Sequence, residues 1–89
     1  MLILTNEDLI AIHPGYYIKQ YLEDENISQQ VFAKNLNVSI SVISQLTSGE
    51  VELDTQLISK LSAYFHTSKR LWINLNANYK QTMKKIEHG

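Results

Sequence analysis

The stretch Ser28-Gln29-Gln30-Val31-Phe32-Ala33-Lys34-Asn35-Leu36-Asn37-Val38-Ser39-Ile40-Ser41-Val42-Ile43-Ser44-Gln45-Leu46-Thr47-Ser48-Gly49 decides the fold. Ser28 and Ser39 are residues that cap helix N-termini, because their hydroxyls accept a backbone N–H from the first turn. Between them lies a helix of about residues 29–35 that turns Val31, Phe32 and Leu36 inward. A small residue, Ala33, stands where this helix would pass close to the next. Four residues on, Asn37 tolerates the left-handed backbone of a tight turn. Six further on, Ile43 supplies the aliphatic peg for the second helix, joined by Leu46, and Gly49 ends that helix. Two short helices pinned by such a turn form a helix-turn-helix. Its second helix is angled so that the N-terminal half enters a major groove.

With Ile43 and Leu46 inward, the second helix presents Ser39, Ile40, Ser41, Ser44, Gln45 and Ser48 outward. Gln45 has an amide that bonds adenine bidentately, Ser41 serves any base edge, and Ile40 packs on a thymine methyl. Gln29, at the start of the preceding helix, is placed to hold a phosphate with its amide and the free N–H groups of the first turn. These seven residues are the candidate DNA-binding set. A solvated helical bundle also carries serines and glutamines outside, so the joint placement of Ala33, Asn37 and Ile43 bears the argument.

Outward from this pair, Pro14-Gly15 opens a helix whose apolar face is Ile18, Tyr21 and Leu22, and Asn26 stops it. Asp54 caps a fourth helix carrying Leu57, Ile58, Leu61, Tyr64 and Phe65. His66-Thr67 breaks that helix and Ser68 caps a fifth. From Lys69 to about Glu87, apolar residues recur at Leu71, Trp72, Leu75, Tyr79, Met83 and Ile86. This stripe outruns a small four-helix core, so Trp72, Leu75, Tyr79 and Met83 are expected at a dimer contact, with Trp72 also anchoring the core. The competing reading is that the helix folds back and buries its stripe within one chain. Residues 1–12 read equally well as a short helix behind a Thr5–Asp8 capping box or as an extended segment. The expected organisation is a segment of open structure at 1–12, a helix-turn-helix core at 13–66, and a C-terminal dimerisation helix at 67–89.

The chain of 89 residues, 44% hydrophobic, has room for one domain and one modest core. It has no cysteine, so no disulfide framework or thiolate metal site is available. No apolar run approaches the ~18–20 residues of a membrane span, which fits a cytoplasmic protein with no membrane partner. His13, His66 and His88 lack ligand spacing, and no nucleophile grouping or Gly-rich phosphate loop occurs, so neither metal, cofactor nor enzymatic activity is expected. Net charge is −1 but polarised: residues 1–26 sum to −4 and residues 67–89 to +4. A basic tail of this kind suits an acidic or nucleic-acid partner, or simply a solvated helix face.

Residues 12–79 resemble the HigA/VapI-type antitoxin branch of the Xre/Cro family. The resemblance runs through Ile12-His13-Pro14-Gly15, Ile27-Ser28-Gln29-Gln30-Val31-Phe32-Ala33, Val38-Ser39-Ile40-Ser41-Val42-Ile43-Ser44 with Gly49, and Leu71-Trp72-Ile73-Asn74-Leu75-Asn76-Ala77-Asn78-Tyr79. It implies an all-α, five-helix bundle of the lambda-repressor-like type with a long C-terminal helix. It also implies a homodimer that binds operator double-stranded DNA, represses its own operon and neutralises a cognate HigB/RelE-like ribonuclease toxin. Two departures stand out, for the family commonly has basic residues where Val42 and Glu50-Val51 stand, and residues 27–52 sum to −1. Each missing cation weakens phosphate neutralisation. An Xre-type regulator without a toxin, or a degenerate helix-turn-helix that binds only protein, therefore remain alternatives.

Overall fold

The computed structural model describes residues 2–6 and 9–88. Strands β1 (Ile3–Asn6) and β2 (Leu9–Ile12) lead into five helices: α1 (Gly15–Asp24), α2 (Gln29–Leu36), α3 (Ile40–Thr47), α4 (Thr55–Phe65) and α5 (Lys69–His88). The helical bundle with its long last helix is the architecture the sequence predicts. Within the first dozen residues, open in the sequence, Ile3–Asn6 and Leu9–Ile12 form an antiparallel pair with Ile3 opposite Ile12 and Asn6 opposite Leu9. The run Leu9-Ile10-Ala11-Ile12, with β-branched Ile10 and Ile12, suits a strand with one covered face: Ala11 is buried, while Ile10 is 60% exposed. Asp8, the second half of the alternative capping box, lies outside the described residues.

Helix boundaries follow local chemistry. Ser28, Ser39, Asp54 and Ser68 each accept a first-turn N–H, at 3.1, 3.3, 2.7 and 3.2 Å. The first four helices all end in one way. Asn26, Asn37, Gly49 and His66 adopt positive φ, between 55° and 78°. The following N–H reaches back five residues, from Ile27 to Leu22, Val38 to Ala33, Glu50 to Gln45 and Thr67 to Ser62. That reach satisfies carbonyls which a helix end otherwise leaves without a partner.

The core gathers Ile18 and Leu22 of α1, Phe32, Ala33 and Leu36 of α2, Ile43 and Leu46 of α3, Leu57, Ile58 and Leu61 of α4, and Trp72 of α5. Phe32, Tyr21, Tyr64, Phe65 and Trp72 form a run of ring contacts, with Tyr21 and Phe65 centroids 4.8 Å apart. This aromatic cluster is what α5 packs on at its start.

Trp72 is only 5% exposed and its indole Nε1 donates to the Thr67 hydroxyl at 2.8 Å, so it anchors the core as the sequence suggests and offers little surface to a second copy. The Tyr79 ring meets the His13 ring edge-on at 4.9 Å, and Met83 lines a groove with Gly49–Glu52. The two strands pack on α5 and cover part of the stripe within one chain, leaving Leu75, Tyr79, Met83 and Ile86 half-buried.

Candidate nucleic-acid interface

α2 and α3 meet through the turn at Asn37, whose φ of 59° and ψ of 47° lie in the left-handed region. Ala33 is buried there, and its carbonyl receives the N–H groups of both Asn37 and Val38. A residue the sequence did not single out secures this turn. Lys60, on α4, reaches across with its ammonium and donates to the carbonyls of Leu36 and Asn37, at 3.1 and 2.9 Å. A cation at a helix C-terminus is favourable because the carbonyl ends carry partial negative charge. Only the fold brings Lys60 here, since it lies 24 residues from Leu36.

α3 is set from its other side by α1. Gly15 is buried against the Leu46 carbonyl, where a Cβ would overlap the oxygen. The sequence marks Pro14-Gly15 as a helix opening; the tertiary structure shows that the glycine lets α1 touch the backbone of α3. His13 completes the brace. Its Nδ1 accepts the Gly15 N–H at 2.9 Å and its Nε2 donates to the Val51 carbonyl at 2.7 Å. These two bonds define the neutral tautomer with hydrogen on Nε2. Burial holds the imidazole below its ordinary pKa of 6.5, outweighing the opposing pull of the Val51 carbonyl and of Glu52.

The structure places the seven predicted DNA-facing residues on or beside one exposed face. Ile40, Ser41, Ser44 and Gln45 stand outward on α3, opposite buried Ile43 and Leu46. The other three have internal duties. The Ser39 hydroxyl caps α3 by accepting from the Val42 N–H, and the Ser48 hydroxyl donates to the Gln45 carbonyl at 3.0 Å. The Gln29 amide donates to Thr47 Oγ1 at 3.1 Å, which ties the start of α2 to the end of α3. Thr47 is buried and donates in turn to carbonyls within α3. Gln29 thus joins the two helices, and its remaining amide hydrogen is what it can donate to a phosphate.

The charge around this face is unhelpful to an anion. Glu50, directly after α3, is exposed, and Glu23 lines the same surface pocket as Gln29 and Thr47. Lys19 lines that same pocket. Val42 is half-buried against the core, so a longer basic side chain at this position would have to leave the packing. Among the described residues no group of carboxylates, histidines or cysteines could hold a metal ion. No helix of the described residues is long and apolar enough to cross a membrane.

Comparison with known proteins agrees with this geometry. A family model described as helix-turn-helix matches residues 18–72. The chain is 32% identical over 62 residues to an uncharacterized HTH-type transcriptional regulator, YddM, of Escherichia coli, covering 70% of this chain and 66% of that protein. It spans about two thirds of the length of the curated relatives it matches. Among solved structures, antitoxin HigA of Pseudomonas aeruginosa with the higBA promoter superposes with a TM-score of 0.77 at 28% identity, covering 88% of this chain and 92% of that one. An addiction module antidote protein of a HigA family from Coxiella burnetii gives 0.78 at 26% identity, covering 88% and 92%. The matched residues run from α1 to the first turn of α5 and include the whole braced pair. The chain belongs to the helix-turn-helix family, in its Xre-type branch, whose members bind DNA and are not enzymes.

Proposed function

We propose that the chain is the DNA-binding antitoxin of a type II toxin–antitoxin pair, which represses its own operon and neutralises a RelE-like ribonuclease. The observation that carries the DNA half of this reading is the outward row Ile40, Ser41, Ser44 and Gln45 on a helix fixed from both sides by α1 and α2. A relative at 28% identity is described together with its promoter, and a second belongs to an addiction module, which supports the antitoxin half. The binding unit is a homodimer, because one helix-turn-helix reads a half-site and two-fold operators need two. Leu75, Tyr79 and Met83, each half-buried against its own chain, keep surface for that contact; Trp72 does not. Localisation in the cytoplasm follows from a DNA partner.

A second reading, a module that binds only protein, is favoured by the carboxylates Glu23 and Glu50 beside the proposed phosphate positions. Gel retardation with the DNA upstream of its own gene separates the two: a shifted band that competitor DNA does not abolish supports the repressor, and no shift supports the protein-only module. Co-expression with the product of the adjacent reading frame tests the antitoxin. A regulator without a toxin would neither bind that product nor relieve its toxicity. Sedimentation tests the two-fold contact, for Met83→Asp should shift the protein toward monomer and lower its affinity for the upstream DNA.

A further inference from the structure

We infer that Ile40 docks on the 5-methyl group of one thymine in each half-site, so that this protein discriminates thymine from uracil at that base. The inference rests on the DNA-binding reading above and names the chemical group that the site selects.

Four residues of α3 itself face outward. Ser39 and Ser48 are its caps, each with a hydroxyl bond inside the helix, and Gln29 lies on α2, tied to Thr47. Of the four, Ser41, Ser44 and Gln45 are polar and Ile40 alone is apolar. Ile40 is the first residue of α3, the end of a recognition helix that meets base edges. The residue is 51% exposed, although Ile43, Leu46 and Thr47 of the same helix are buried, so its apolar side chain is offered outward.

An isoleucine is suited to this task because branching at Cβ restricts χ1. The knob is pre-set, so docking sacrifices little side-chain entropy. It has no donor or acceptor and cannot satisfy the N7, O6, O4 or N4 groups of the major groove. The one apolar group that base edges present there is the thymine methyl. Placing Ile40 over any other base edge would strip water from a polar group without replacing it.

Uracil keeps the O4 acceptor and the pairing of thymine and lacks only the methyl, so it isolates this contact. Binding selection from a random duplex pool supplies the probe, which is then synthesised with thymine or with uracil throughout. We expect the uracil duplex to bind the full-length protein about fourfold more weakly per docked methyl, the loss of one buried apolar carbon. A scan of single thymine-to-uracil replacements should concentrate that loss at one position of each half-site. Ile40→Ala, at an exposed site, should fold normally by circular dichroism and bind the thymine and uracil duplexes alike, and Ile40→Val should retain part of the preference. Equal binding of both duplexes by the wild type overturns the inference and leaves DNA binding standing. The same outcome follows if Ile40→Ala loses as much as the wild type on uracil DNA, because the effect would then come from DNA deformability. A pool that yields no duplex bound above random DNA overturns the DNA-binding reading itself.

Discussion

Asn37 shows how one residue fixes the angle on which the interface depends. Its left-handed backbone costs little for asparagine, while a β-branched side chain there meets the following carbonyl. Asn37→Val should lower stability by about 1–2 kcal/mol, the cost of that conformation, and Asn37→Gly should be close to neutral; urea denaturation of both variants measures the difference. Gln45 is the complementary case, a residue with no structural duty for its side chain among the described residues. Gln45→Ala should leave urea midpoints unchanged while relaxing discrimination at one base position by about 1–3 kcal/mol, the worth of a bidentate pair. Competition between the selected duplex and single-base variants reads this. An unchanged preference at every position would remove Gln45 from the reading set.

At the scale of elements, α3 is held by contacts from three directions: α1 through Gly15, α2 through Gln29 and the Asn37 turn, and the following loop through Val51 and His13. Gly15→Ala pushes a methyl group into the Leu46 carbonyl, so α1 or α3 must move. The expected cost is about 1–3 kcal/mol of stability, typical of forced overpacking, together with a loss of DNA affinity that a surface substitution would not cause. Thermal melting and duplex binding on the same sample check both. The loop after α3 carries the opposite liability, an exposed carboxylate where a phosphate would pass. Glu50→Lys should strengthen duplex binding, and should steepen the fall of log K with log salt by about one to two units, since a repelling charge becomes an attracting one. A gain that does not depend on salt would place Glu50 away from the DNA. Val42 is the less suitable site for the same experiment, because its packing against the core would be lost along with the new charge.

At the scale of the whole molecule, His13 links the strand pair, α1, the loop after α3 and α5. It is buried, bonded to Val51 and Gly15, and stacked edge-on by Tyr79. Protonation at Nδ1 would set a proton against the Gly15 N–H. The native pKa lies below 6.5, so the unfolded chain binds the extra proton more readily. This contribution to stability is fully present above the ordinary histidine value and declines as pH falls from there toward the lower native value. Urea midpoints should be flat above about pH 7 and drop on acidification through 6.5. His13→Gln should start lower and lack most of that drop. A wild-type midpoint that is flat across the same range would show that the brace tolerates a charged imidazole.

Much of this protein was legible in the sequence because its decisive signals are local. The caps Ser28, Ser39, Asp54 and Ser68, the left-handed stops Asn26, Asn37, Gly49 and His66, and the 3.6-residue stripes each act over one or two turns. Those features determined the five helices, the braced pair and the outward face of α3. The tertiary structure alone decided what depends on residues far apart meeting. It made residues 3–6 and 9–12 a pair of antiparallel strands, because a short apolar run takes its conformation from the surface that covers it, and here α5 supplies that surface. It brought Lys60 onto the helix-turn-helix turn and gave Gly15 a backbone to touch. Hydrogen bonding and capping are written within a few residues of sequence, whereas burial is a property of the assembled surface, and no stretch of this chain states by itself which of its apolar faces another stretch will cover.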